Sequence, residues 1–301
     1  MKTISIVSGK GGVGKSSFTA SLALVLSRKF KIVAADCDVD APNLALLLGV
    51  RRLEKTERVS TRYKAFANRR AARCRNLAEI CAFSAISWNE RKRMPEINRF
   101  LCEGCGACKL ACPQGITLKR VKNAVIGEAK TKYNFRLVSG MLVVGESGSG
   151  NIVELVKQRA RKIAENLRAD FILLDSSPGI GCPVIASLRE SDYAVGITEP
   201  TQTALSDLKR VLEVARHFEI PHGIVINKYD LNPKVSKAIE SYAGENRIPV
   251  LGRLPYDAKF VEAAVNMLPV VAYETRYERM FLGIWNRIHR ELKRSRRHAE
   301  T

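Results

Sequence analysis

The chain predicts a doubly wound α/β fold, a mostly parallel sheet with helices on both faces, interrupted by a small inserted α+β domain. Three observations carry this prediction. Short apolar, β-rich runs alternate with longer amphipathic stretches in both outer parts of the chain. A glycine-rich loop joins the first such run to the first helical period. The alternation then stops near Val50 and resumes near Asn134, so residues 1–50 and 134–301 form one body and residues 51–133 an insertion.

Taken in order, strands are expected at Thr3–Ser8, Lys31–Ala35, Met141–Val144, Phe171–Asp175, Tyr193–Ile197, Gly223–Asn227 and Pro249–Leu251. Helical periods fall between them, at Ser16–Ser27, Ile152–Leu167, Leu205–Phe218 and Val235–Ala243. Near the end, Tyr277, Met280, Phe281, Ile284, Ile288 and Leu292 share one stripe with basic residues opposite. That stripe predicts a last helix packed on the sheet, with contact to a membrane surface as the alternative.

A length of 301 residues suits two compact domains. An apolar run begins at Thr3 with no charged segment before it, and no stretch reaches the roughly 20 apolar residues of a membrane span. The expected location is the cytoplasm, where eight cysteines read as metal ligands and not as a disulfide framework. Net charge is +20, but residues 51–133 alone carry 20 Lys/Arg against 7 Asp/Glu. Residues 273–301 carry 8 against 4, and everything else 22 against 19. The insert therefore suits an anionic partner: an acidic protein, a nucleic acid or a headgroup.

Gly9-Lys10-Gly11-Gly12-Val13-Gly14-Lys15-Ser16 matches G-x-x-x-x-G-K-[ST] between a predicted strand and helix. Backbone N–H groups of this loop, continuing into Ser17, are expected to cradle phosphate oxygens. Lys15 would lie along the β/γ-phosphates and the Ser16 hydroxyl would ligate Mg2+. Asn227-Lys228-Tyr229-Asp230 follows a strand and can read a base; the same letters form the N-K-x-D guanine motif, so GTP stays open beside ATP.

Cys102, Cys105, Cys108 and Cys112, followed by Pro113, have the C-x2-C-x2-C-x3-C-P spacing of bacterial ferredoxins. A zinc knuckle spaces its ligands as two separated pairs, which this run fits poorly.

With these motifs the chain resembles the MinD/ParA superfamily of P-loop ATPases, and within it the members that contain an inserted ferredoxin domain. K-G-G-V-G-K-S resembles that superfamily's deviant phosphate loop, and G-E-S-G-S-G at Gly145–Gly150 and D-S-S-P-G-I-G-C-P at Asp175–Pro183 extend the likeness across nearly the whole chain. The resemblance implies that Lys10 reaches the partner's nucleotide in a nucleotide-dependent homodimer. It implies that Asp38 orients the attacking water, that Asp36 and Asp175 serve Mg2+, and that Asn227, Pro255 and Tyr256 contact adenine. Carboxylates that end parallel strands converge on the crevice where ligands bind. Lys10, Lys15 and Asp38 are thus the expected catalytic set.

The insert departs from the ferredoxin pattern. A second cysteine run laid on Arg70–Ile86 finds only Cys74 and Cys81, with Ala71 and Leu77 at the other two ligand positions. In two-cluster ferredoxins the fourth cysteine of each run serves the other cluster. One 4Fe-4S cluster on Cys81, Cys102, Cys105 and Cys108 is therefore expected, leaving Cys74 and Cys112 as neighbouring free thiols or a remnant metal site. The local set that uses Cys112 in place of Cys81 is the competing arrangement. Arg51–Arg75, with 10 positive against 2 negative charges, reads as a docking surface or as a solvated face. Cys182 is expected to be a buried, inert thiol, with a functional thiol as the alternative. His217, His222, His289 and His298 show no ligand spacing.

The expected activity is Mg-ATP hydrolysis whose nucleotide state controls an iron–sulfur centre, for electron transfer or for cluster delivery to an acidic protein partner. The alternative is a positioning ATPase that binds DNA or membrane and keeps a structural or redox-sensing cluster.

Overall fold

A computed structural model describes the backbone of residues 1–299 and side chains as far as Arg294. His298 lies outside the described side chains. The chain divides into two units, one of Met1–Thr56, Ile126–Met141 and the residues from Ser149 onward, the other of Glu57–Val125 and Leu142–Gly148.

The larger unit is built on a nine-stranded sheet. From one edge, the strands are Val250–Leu254, His222–Asn227, Tyr193–Thr198, Lys2–Ser8, Phe171–Pro178, Ile32–Cys37, Arg136–Leu142, Ala124–Lys130 and Glu54–Val59. The first seven pair in parallel. Strands in the middle, such as Lys2–Ser8 and Ile32–Cys37, are buried on both faces, which is why they are rich in apolar residues and do not alternate apolar with charged ones. Two buried clusters fill the faces. One includes Phe18, Leu22, Phe281 and Ile288, the other Val184, Leu208, Leu212 and Ile239. The final helix Glu278–Ala299 lays Phe281, Ile284, Trp285 and Ile288 into the first cluster, so its apolar stripe is core. No described helix is long and apolar enough to cross a membrane.

The sheet takes two strands from the segment that sequence alone assigns to the insert. Ala124–Lys130 and Glu54–Val59 extend the edge, and the bounds of the two units, at Glu57 and Val125, fall within these two strands. The strand expected at Met141–Val144 starts earlier, at Arg136, and ends at Leu142.

The smaller unit pairs Arg62–Ala67 with Ile116–Val121 and Ile86–Asn89 with Met94–Ile97, each antiparallel. Short helices at Leu77–Ile80 and Ala107–Ala111 lie between these strands in sequence. Its core is small: Ala65, Ala71, Leu77, Ile86 and Ile116 pack with Cys102, Cys108 and Cys112. Polar contacts draw Gly145–Gly148 into this unit. Buried Lys64 pairs with Glu146 at 2.9 Å, and Arg62 donates to Ser147 at 2.6 Å.

Candidate functional site

The loop Gly9–Gly14 leaves the central strand Lys2–Ser8 and enters the helix Lys15–Ser27. Two of its glycines are required by backbone shape or space. Gly14 has φ 91°, and a Cβ there would lie 2.4 Å from Asn227 Nδ2. A Cβ on Gly9 would strike the Asp207 carbonyl at 2.2 Å.

Parallel register carries three carboxylates to this loop. Asp175 stands opposite Asp36 in the register of strands Phe171–Pro178 and Ile32–Cys37, and Asp38 follows at the strand end. Lys15 Nζ donates to Asp175 Oδ1 at 2.9 Å, and Thr19 Oγ1 donates to the same oxygen at 2.9 Å. Asp175 Oδ2 is buried without a hydrogen-bond partner among the described residues, a carboxylate oxygen suited to an added cation or its water. Asp36 is fully buried, and its oxygens accept the backbone N–H groups of Leu44 at 2.9 Å and Asp38 at 3.2 Å. Burial, and then the neighbouring Asp175, pushes the Asp36 carboxyl well above the usual range. Burial also raises Asp38, partly offset by Lys15 and a hydrogen bond from Ser177. Ser16 and Ser17 are half-buried at the helix start.

Lys10 is paired within its own chain, 3.5 Å from Glu199 Oε1. The other oxygen of Glu199 takes Lys228 Nζ at 2.8 Å. Asn227 Nδ2 donates to the Val13 carbonyl at 2.8 Å, and Tyr256 N–H donates to Asp230 at 2.7 Å. Pro255 is half-buried and Tyr256 is 53% exposed. Thr19 and Glu199 were not singled out from sequence. The signal for Glu199 was its place at the end of a parallel strand, the feature that had already marked Asp175.

In the smaller unit, Cys81, Cys102, Cys105 and Cys108 line one recess with Phe83 and Ile97. Gly104 and Gly106 have φ of 68° and 87°, and a Cβ on Gly104 would meet the Tyr63 carbonyl at 2.0 Å, so this turn between the cysteines needs glycine. Ala65 N–H donates to Cys102 Sγ at 3.4 Å and Ala85 N–H to Cys81 Sγ at 3.3 Å. Burial pushes the Cys108 thiol up, and the sulfurs of Cys102, Cys105 and Cys81 add to it. Among the described residues, no three His, Cys, Asp or Glu side chains converge as ligands of a single ion. Four cysteine thiols are the donor type that iron–sulfur centres use.

Two cysteine expectations are corrected. Cys74 and Cys112 are joined in a disulfide with Cα atoms 6.2 Å apart, in place of free thiols or a remnant metal site. Ala71 and Leu77 stand at the two lost ligand positions, and neither side chain can ligate iron. Cys182 is exposed, not buried, because it begins the short helix Cys182–Leu188 directly after the Gly179–Gly181 turn.

The family model of the CobQ/CobB/MinD/ParA nucleotide binding domain (CbiA) matches residues 4–270. An uncharacterized protein of Methanocaldococcus jannaschii is 41% identical over 231 residues, 76% of this chain and 79% of its own. An iron–sulfur cluster carrier protein of Methanococcus maripaludis is 24% identical over 305 residues, 97% of this chain and 85% of its own. Among solved structures, the fold is similar to that of the septum site-determining protein MinD of Pyrococcus horikoshii complexed with Mg-ADP. That similarity has a TM-score of 0.57, 19% identity and 95% of each chain covered.

Proposed function

We propose that this chain, which belongs to the CobQ/CobB/MinD/ParA nucleotide-binding family and is a P-loop ATP hydrolase, couples its nucleotide state to an iron–sulfur centre on its insert. One observation carries the proposal: Cys81 joins Cys102, Cys105 and Cys108 around a single recess, in a chain that also has a complete phosphate loop. The name of the distant cluster-carrier relative supports the same reading.

Lys15, held by Asp175 in this structure, turns to the β/γ-phosphate oxygens when ATP binds. Loop N–H groups from Gly9 to Ser17 cradle the phosphates, and the base rests near Asn227, Pro255 and Tyr256. Ser16 and Asp175 would hold Mg2+, with Asp36 behind them; the ion supplies positive charge against the transferring phosphoryl group. Asp38 orients the attacking water. Lys10 leaves Glu199 to complete the site of a second copy, so the working form is a nucleotide-dependent homodimer. Cys81, Cys102, Cys105 and Cys108 would hold one 4Fe-4S cluster, which supplies one-electron transfer. The N–H groups of Ala65 and Ala85 stabilise charge on two of those sulfurs. The insert resembles a ferredoxin in its two strand–helix–strand halves, the second carrying the complete cysteine run.

Anaerobic purification of the full chain, with iron and sulfide counted and co-eluting proteins identified with and without ATP, tests this. About four irons per chain and an acidic co-eluting protein are expected; a chain free of iron refutes it.

A second reading has its own observation. Arg51, Arg52, Arg58, Arg69, Arg70, Arg73 and Arg75 are all exposed, which supports a positioning ATPase on DNA. Duplex binding with a steep salt dependence, unchanged by cluster reduction, would favour it.

A further inference from the structure

A groove of about 790 Å3 lies in the larger unit, among residues that the nucleotide and cluster sites do not use. It runs over the start of strand Ile32–Cys37, the strands Ala124–Lys130 and Arg136–Leu142, and the C-terminal turns of helix Ser149–Leu167. Ile32 begins its strand, whereas Asp36 and Asp38 lie at the other end, so the groove opens at the opposite end of the sheet from the phosphate loop.

Its lining is lopsided in charge. Lys31, Lys55, Lys130, Arg136, Arg159 and Lys162 all face it, against a single carboxylate, Glu128. Glu128 is buried and already shared between Arg136 at 3.2 Å and Lys55 at 3.4 Å. Lys31, Lys130 and Lys162 make no ion pair among the described residues. An adjoining recess shares Phe30 and Lys31 and adds Lys29 and Arg168, with Asp170 as its one acid. Asp170 is itself engaged, accepting the Lys31 backbone N–H at 2.9 Å. Lys55 and Lys130 come from the basic segment 51–133, while Lys31, Arg136, Arg159 and Lys162 come from the part of the chain in which the two signs nearly balance. Like charges brought within one groove repel one another unless an anion joins them.

The groove also has an apolar wall. Phe30, Ile32, Phe135 and Ile163 are buried or half-buried in it, and Leu167 is 43% exposed at its rim. Volume, apolar wall and convergent polar groups match the usual anatomy of a small-molecule site. We propose that this groove is a second ligand site, for a small organic polyanion of about nucleotide size that carries an apolar or ring portion. The anionic end is held by Lys31, Lys130 and Lys162, and the ring lies against Phe30 and Phe135. The inference stands apart from the iron–sulfur reading, and neither needs the other.

The test is a fluorescence titration of the full chain with 8-anilinonaphthalene-1-sulfonate, a ring-bearing anion, followed by competition with inorganic pyrophosphate. Saturable binding is expected, weakened competitively by pyrophosphate. The double variant Lys130→Glu with Lys162→Glu, at two exposed positions, should lose at least about tenfold in affinity while its Mg-ATP hydrolysis stays at the wild-type rate. Wild-type affinity in that variant, or no competition by pyrophosphate, overturns the proposal. Hydrolysis serves as the folding check. Should it fall in the variant, the single variants Lys130→Gln and Lys162→Gln are read the same way, each with at least a threefold loss expected.

Discussion

Lys15 and Asp175 form a buried ion pair at 2.9 Å, with side chains 7% and 0% exposed. Removing one partner of a buried pair strands the other charge, a loss of about 3–5 kcal/mol. Lys15→Ala should therefore lower the nucleotide-free stability by about 3 kcal/mol as well as abolish hydrolysis; urea unfolding that shows less than about 1 kcal/mol would count against the pair. The cysteines give a second residue-scale prediction. Cys81→Ala should lose the cluster, whereas Cys112→Ala, which breaks only the disulfide, should keep its iron. Full iron retention in the Cys81 variant contradicts the ligand assignment. The phosphate loop was legible from sequence because its chemistry is local, eight consecutive residues between a strand and a helix. Thr19 and Glu199 were not, because their partners Asp175 and Lys10 come to them through sheet register. The exposure of Cys182 escaped for a similar reason: it depends on how the Gly179–Gly181 turn delivers the chain to its helix.

At the scale of elements, legibility followed burial. The central strands Lys2–Ser8, Phe171–Pro178 and Ile32–Cys37 are rich in apolar residues, and the sequence places their ends within three residues. Glu54–Val59 is a mostly exposed edge strand with the sequence E-K-T-E-R-V, which has no apolar face to announce it. Ala124–Lys130 is largely buried, but it sits inside a strongly basic segment and was assigned with its neighbours to the insert. The last helix was legible by its period, and its stripe proves to be core. Ile288 is fully buried there, so Ile288→Ala should cost about 2–5 kcal/mol in chemical denaturation, whereas a membrane-facing residue would cost next to nothing in the water-soluble state.

For the whole molecule, the proposal requires two copies and two coupled sites. Lys10 has a partly exposed side chain and is tied to Glu199 only at 3.5 Å, a contact longer than a hydrogen-bonded ion pair. In a dimer it would act in trans on the partner's phosphates, where such a cation is worth about 10³-fold or more in rate. Lys10→Ala should lose hydrolysis far more than nucleotide binding. Sedimentation of the hydrolysis-blocked Asp38→Ala variant should show a dimer in Mg-ATP and a monomer in Mg-ADP. A monomer in both would contradict dimerisation. Coupling between the nucleotide and the cysteine recess is tested most directly by the rate at which bathophenanthroline disulfonate strips iron from the anaerobic full chain. The expected result is a several-fold difference between Mg-ADP and a non-hydrolysable Mg-ATP analogue, absent in Lys15→Ala; equal rates in the two nucleotide states would contradict it.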